Sequence, residues 1–225
     1  MGSGIAEVAA RSGCDVKIVE ANDGALQAGM ERMEKSLDRA VRAEKITEDD
    51  RAQVMGNISF STKLPSLADR QFVVEAVIEQ EEAKIEVFRR LNDVVDDPEA
   101  ILASNTSSIP IMKLAMATNR PQQVIGVHFF NPVPVMGLVE IITSLLTGDK
   151  TAALCQEFAS DQLGKRVVSS QDRAGFVVNA LLIPYILSAI RMMESGFASA
   201  EDIDAGMVLG CNHPMGPLAL CDLIG

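Results

Sequence analysis

His128 and Glu140 are the residues of this sequence best suited to moving a proton. An imidazole has an unperturbed pKa near ~6.5, so it exchanges protons at neutral pH. A carboxylate beside it fixes the ring and stabilises the imidazolium. His128 follows the β-branched run Val124-Ile125-Gly126-Val127 and opens the stretch His128-Phe129-Phe130-Asn131-Pro132. Glu140 sits in the apolar run Leu138-Val139-Glu140-Ile141-Ile142. A carboxylate in such surroundings is costly unless paired, which makes the histidine an attractive partner. The same two residues would also suit a purely structural hydrogen bond.

Three further segments carry polar groups where ligands are held. Ser104-Asn105-Thr106-Ser107-Ser108 follows the short strand Ile101-Leu102-Ala103, and the carboxyl ends of strands are where α/β sheets bind ligands. It equally suits a turn that caps the helix after Pro110. Gly175-Phe176-Val177-Val178-Asn179 opens an apolar helix, and the lone amide of Asn179 needs partners, either in a site or between two helices. At the N-terminus, Gly2 begins a helix, and a strand after it ends in Glu20. A dinucleotide-binding unit has a glycine at the helix start and an acid about 20 residues on, for the adenosine ribose. A glycine at position 2 would let helix approach strand, and the charge of Glu20 would favour NAD over NADP. A helix followed by any exposed glutamate explains the same residues. His213, in a turn-rich loop before a helix, reads as structural.

These groups need elements to hold them. The pattern predicts a helix over Ile5–Ala10 ended by Gly13, and a strand over Asp15–Glu20. A long helix is capped by Asn22-Asp23, and a short one starting at Thr47 folds back on it. The long helix has an oily face, Met30, Met33, Leu37 and Val41, and a basic one, Lys35, Arg39 and Arg42, with Lys45 beyond. Strands are expected at Phe72–Ile78, Ile101–Ala103, Val124–Val127, Val139–Ile142 and Arg166–Val168, with a helix from Glu81 to Val95. Alternating strands and helices imply a mainly parallel sheet. From Arg173 onward the pattern is helical, so a boundary is placed near residue 170, giving domains 1–170 and 171–225.

Composition narrows the function. Twenty basic and 31 acidic residues give a net charge of −11, and no basic patch dominates, so nucleic acid is not expected as a partner. The four cysteines have no CxxC spacing and neither histidine lies in metal-motif order; free thiols, a reducing cytoplasmic compartment and no metal are the expectation. The apolar run Phe176–Ile190 contains Asn179, Pro184 and Ser188 and is shorter than the ~20 residues a bilayer needs, so it is expected to be a buried helix rather than a membrane span.

Taken in order, several segments form one series. They are Val74-Glu75-Ala76-Val77-Ile78-Glu79, Ser104-Asn105-Thr106-Ser107-Ser108, His128-Phe129-Phe130-Asn131-Pro132-Val133-Pro134-Val135-Met136, Leu138-Val139-Glu140, Gly175-Phe176-Val177-Val178-Asn179 and His213-Pro214-Met215-Gly216-Pro217. This series resembles the L-3-hydroxyacyl-CoA dehydrogenase family over essentially the whole chain, and most of all its single-function bacterial members acting on 3-hydroxybutyryl-CoA. The resemblance implies an α/β fold: a Rossmann-like, mainly parallel sheet with a CoA-binding helical hairpin, then an all-α C-terminal domain. It implies NAD-dependent, reversible oxidation of a short-chain L-3-hydroxyacyl-CoA to the 3-ketoacyl-CoA. His128 would be the general base and Glu140 its orienting acid, with Ser107 and Asn179 on the substrate hydroxyl or thioester carbonyl. Gly2, Glu20, Glu79, Lys84, Ser107 and Asn131 would serve the cofactor. Ser36 matches a CoA-contacting serine of the family; a family lysine falls on Ala43, and Arg39, Arg42 or Lys45 would replace it. The family begins with a strand and G-x-G-x-M-G, of which Met1-Gly2 match the last two residues, and continues past Gly225 with helices that carry a homodimer contact. The sheet is therefore expected to lack its central strand here, and folding and NAD binding to be weakened. Two other readings are a hydroxyacid or sugar-acid dehydrogenase that does not use CoA, and a non-catalytic, crystallin-like NAD-binding protein. Ser36 and the basic helix face argue against the first. The joint presence of Ser107, His128, Glu140 and Asn179 argues against the second.

Overall fold

Residues 1–224 are described by a computed structural model, and the chain divides into two units, Met1–Ala174 and Gly175–Gly225, of which Gly225 lies outside the described residues. In the first unit, α1 (Gly2–Arg11) buries Ile5, Ala6, Val8 and Ala10, and Gly13, at a φ of 84°, turns the chain into β1 (Val16–Val19). Asn22 accepts the Ala25 N–H and starts α2 (Asp23–Arg42), whose Met33 and Leu37 are buried. Thr47 and Asp50 form a reciprocal capping box on α3 (Glu48–Gly56), and Arg51 meets Asp38 at 2.9 Å, closing the expected hairpin. A short strand that the sequence pattern does not single out, β2 (Ile58–Ser61), then pairs in parallel with β1, Val16 opposite Ile58.

A second sheet has five strands in chain order: β3 (Phe72–Glu75), β4 (Ile101–Ser104), β5 (Val124–Phe129), β6 (Leu138–Thr143) and β7 (Arg166–Gln171). The helices α4 (Glu81–Val94), α5 (Ile111–Ala115) and α6 (Asp149–Glu157) make the crossovers. All neighbours are parallel except β5 and β6. The strands β4 and β5 are buried throughout, as their apolar runs require. Where the pattern predicts a strand to Ile78, β3 stops at Glu75. The Glu75 carboxylate takes the Val77 N–H at 2.7 Å and turns the chain out of the sheet, leaving Val77 and Ile78 exposed. The strands β1 and β3 belong to different ladders. Between them lies a cavity of about 1020 Å³ whose walls include Ile5, Val16, Ile18, Val74, Phe129 and Phe158.

The second unit holds α7 (Val178–Glu194), α8 (Ala200–Cys211) and α9 (Pro217–Ile224). Asn212, in the left-handed region at a φ of 56°, ends α8, and Asp204 accepts the Leu218 and Ala219 N–H groups at the start of α9. Gly216 passes so close that a Cβ there would lie 2.3 Å from Asp204 Cγ. The apolar run expected to be a buried helix is not buried within the chain. Ile186 and Ala189 are covered, but Leu181 is 72 % exposed and Ile183 50 %. Apolar residues encircle α7, whereas the neighbours it meets within the unit, α8 and α9, cover only part of it. Among the described residues no helix is long and apolar enough to cross a membrane.

Candidate active site

The antiparallel register of β5 and β6 sets His128 directly opposite Glu140. Directly opposed residues project to the same face of a sheet, and here Nδ1 of the ring lies 2.8 Å from Oε2 of the carboxylate. Glu140 is fully buried and His128 is 7 % exposed. The Phe130 ring packs edge-on against the imidazole, centroids 4.7 Å apart. Gly126, two residues before the histidine, is enforced by packing: a Cβ would sit 2.9 Å from both Ile111 Cδ1 and Ile142 Cβ.

The serine segment is clamped by Glu79, from the turn after β3. Oε1 of Glu79 accepts from the Thr106 hydroxyl at 2.5 Å, from the Ser107 and Ser108 N–H groups at 2.9 and 3.1 Å, and from the Ser108 hydroxyl at 3.1 Å. The Ser107 hydroxyl lies 3.4 Å from the same oxygen. Partial burial opposes ionisation of Glu79, but the Thr106 hydroxyl, the Ser107 N–H, the Lys84 ammonium and Ser108 outweigh it and hold the carboxyl below the usual glutamate range. Beneath this clamp, Lys84 is buried and its Nζ reaches Glu75 at 2.7 Å and Glu79 at 3.3 Å. Glu75 also accepts the Ser104 hydroxyl at 2.7 Å. Charges this deep persist only when paired and hydrogen-bonded. Sequence reading passed over Glu75 because it lies in a strand-like apolar run; its buried charge is the signal that marks it.

The remaining candidates are spread more widely. Ser107, Glu79 and Lys84 form one cluster at the carboxyl ends of β3 and β4, and β4 is the parallel neighbour of β5, which carries His128. Glu20 follows β1, its N–H bonded to Ser61 O. Gly2 heads α1, where a Cβ would meet only Ala76 at 3.8 Å, an ordinary contact. Gly4 on the same helix is packed more tightly, since a Cβ there would lie 3.1 Å from Val133 Cβ in the turn after β5. Asn131 is exposed and precedes the cis peptide of Pro132. The loop behind it is anchored by Lys165, which donates to the Val133 and Met136 carbonyls at 2.7 Å each. Loss of hydration, with Arg11 nearby, pushes this ammonium down. On the hairpin, Arg42 and Lys45 are exposed, but the Ser36 hydroxyl is turned to Glu7 on α1. Burial raises the Glu7 carboxyl despite Ser36, Arg11 and Arg39. Asn179 is half-buried in the first turn of α7, in the second unit. Gly175, at a φ of 77°, makes that helix start possible, because a Cβ would lie 2.9 Å from Ala180 N. His213 lies near Tyr185, Nδ1 to hydroxyl 3.3 Å. Among the described residues no group of His, Cys, Asp and Glu could hold a metal ion.

Two family models match the chain: the NAD-binding domain of 3-hydroxyacyl-CoA dehydrogenase over residues 1–173, and the C-terminal domain of the same family over residues 175–225. A 3-hydroxybutyryl-CoA dehydrogenase of Mycobacterium tuberculosis is 58 % identical over 225 residues, covering 100 % of this chain and 79 % of the relative. The human mitochondrial hydroxyacyl-coenzyme A dehydrogenase is 43 % identical over 232 aligned positions, covering 100 % of this chain and 73 % of that protein. The crystal structure of (S)-3-hydroxybutyryl-CoA dehydrogenase from Ralstonia eutropha superposes with a TM-score of 0.96 at 45 % identity, over 100 % of this chain and 79 % of that one. With a fold, a paired histidine and glutamate and whole-chain similarity all in agreement, the chain belongs to the 3-hydroxyacyl-CoA dehydrogenase family.

Proposed function

We propose that this protein oxidises the 3-hydroxyl of a short-chain L-3-hydroxyacyl-CoA, with 3-hydroxybutyryl-CoA as the test case, to the 3-ketoacyl-CoA with NAD, and catalyses the reverse reduction. The observation that carries the reading is the buried His128–Glu140 pair at 2.8 Å, set by strand register. The residues present fit NAD. At the carboxyl ends of β1 and β3, Glu20 offers a carboxylate for a ribose diol, Val77 and Ile78 offer exposed apolar surface for a ring, and Gly2 opens α1 with no side chain in the way. When bound, NAD supplies the acceptor for the hydrogen and electron pair that leave C3.

The chain supplies the proton chemistry and the positioning. Nδ1 of His128 faces Glu140, so Nε2 is the nitrogen that takes the hydroxyl proton as C3–O becomes a carbonyl. The positive charge that develops on the ring is met by the Glu140 carboxylate. Ser107 and Asn179 are each assigned to the substrate hydroxyl or thioester carbonyl. Asn131 would help position the nicotinamide and the substrate, and Glu79 with Lys84, which hold the serine segment, would lie along the cofactor. Ser36, Arg42 and Lys45 on the hairpin are assigned to CoA, the two cations to its phosphates. The unit Met1–Ala174, which keeps β7 whole, would act as the NAD-binding domain, and the unit that starts at Gly175 as a helical domain that pairs in a homodimer, for which the exposed Leu181, Ile183 and Leu187 are suited. The four free cysteines support a cytoplasmic setting. The test is NADH formation with the L and D epimers of 3-hydroxybutyryl-CoA. Turnover of the L epimer is expected, and His128→Ala should lower kcat by ~10²–10⁴. No turnover of either epimer, or an unaffected alanine variant, rejects the assignment.

A further inference from the structure

Asn105 joins the serine segment to the histidine strand. Its backbone N–H donates to the Glu75 carbonyl at the end of β3, 2.9 Å. Its side-chain Oδ1 accepts the N–H of Phe129 on β5, also 2.9 Å. The parallel ladder between β4 and β5 ends at Ser104 and Gly126, so Phe129 lies three residues beyond the last pair. A covered backbone N–H must find an acceptor, and beyond the end of β4 no strand backbone supplies one to this group. The amide oxygen of Asn105 extends β4 by one side chain to do so. Phe129 itself is buried.

The location of this bond gives it a consequence for the reaction. The N–H of Phe129 belongs to the same rigid peptide plane as the carbonyl of His128. Holding that N–H fixes the backbone from which the imidazole projects. On its other side, Asn105 is followed directly by Thr106, Ser107 and Ser108, which Glu79 clamps. One side chain therefore ties the strand of the base to the segment of the serine hydroxyl. We propose that Asn105 is a positioning residue, whose Oδ1–Phe129 hydrogen bond holds His128 and Ser107 in register for proton removal. This rests on the dehydrogenase reading above.

The test compares Asn105→Ala, which removes the acceptor, with Asn105→Asp, which keeps one, in the full chain. Steady-state kinetics with L-3-hydroxybutyryl-CoA and NAD are read well below the melting temperature. Amide hydrogen exchange is followed at Phe129. Because misplacement of reacting groups by about 1 Å can cost ~10²-fold, the alanine variant should lose about 10- to 100-fold in kcat. Its KM values should stay within about threefold. Asn105→Asp should retain kcat within about fivefold, and the Phe129 amide should exchange at least about tenfold faster in the alanine variant only. A purely structural role would lower the melting temperature and leave kcat in place. The proposal is overturned if the alanine variant keeps kcat within threefold, if its loss lies wholly in KM, if the aspartate variant falls equally far, or if Phe129 exchange is unmoved. An unaltered chain with no turnover would reject the dehydrogenase reading instead; Phe129 exchange then still decides whether Asn105 holds the strand.

Discussion

Replacing Glu140 by glutamine would remove one charge and almost no volume. The carboxylate is fully buried and its Oε2 lies 2.8 Å from the imidazole of His128, which is itself 7 % exposed, so little water screens the pair. A unit charge pair about 4 Å apart is worth ~4 kcal/mol at an effective dielectric of about 20. The imidazolium that forms on proton removal would lose that attraction. A glutamine oxygen would still accept from Nδ1, returning about 1 kcal/mol as a neutral hydrogen bond. The net loss is about 3 kcal/mol, and since 1.36 kcal/mol is a decade in rate, kcat should fall by ~10²-fold. Saturating NAD and L-3-hydroxybutyryl-CoA isolate kcat, and an unchanged melting temperature shows that the isosteric variant is folded. The pair also acts as a unit. Glu140→Gln in a His128→Ala background should therefore cost little more than His128→Ala alone. A kcat within about fivefold of the unaltered enzyme, or fully additive losses in the double variant, would refute the coupling drawn from this geometry.

Other consequences follow from particular contacts. Gly126→Ala puts a Cβ 2.9 Å from Ile111 and Ile142 in the buried sheet and should destabilise the first unit by ~1–3 kcal/mol in urea unfolding. Arg42→Ala combined with Lys45→Ala should raise KM for acyl-CoA several-fold and leave KM for the acyl-pantetheine analogue unchanged, since both side chains are exposed and would meet only the phosphates. Cys155 is buried and its thiol is pushed up to about 12, so a thiol reagent at neutral pH should label the exposed Cys211 and reach Cys155 only after unfolding. The carboxyl of Glu79 is held below the ordinary glutamate range, so its clamp is fully present above the unfolded value. As pH falls, protection of the Ser107 and Ser108 amides should outlast the protonation of unrestrained glutamates and disappear only lower, as amide exchange would show.

Much of the first unit is legible in the residue order because its signals are local. Asn22 and Thr47 mark helix starts by their own side chains, and Gly13 marks an end by its backbone freedom. The β-branched runs of β4 and β5 announce strands buried on both faces. Strand β2 escapes notice because four residues, Ile58 to Ser61, carry too short a pattern to stand out. The extent of β3 is misjudged for another reason. Its apolar run continues to Ile78, but the Glu75 side chain diverts the backbone at Val77. The apolar run of α7 suggests burial, yet burial is settled by what packs around a helix, not by its composition.

The residues of the candidate site divide in the same way. That His128 wants an acid and that Glu140 wants a partner follows from the chemistry of each side chain. So does the membership of the family, which rests on the order of motifs along the chain. Tertiary structure alone decided that Glu140 stands opposite His128, that Lys84 turns inward to Glu75 and Glu79, that Ser36 faces Glu7, and that Gly4 is the more tightly packed glycine at the start of α1. Each of these depends on strand register or helix approach between segments distant along the chain, and those are fixed by the packing of the whole sheet and its helices, for which no single stretch of residues carries the information.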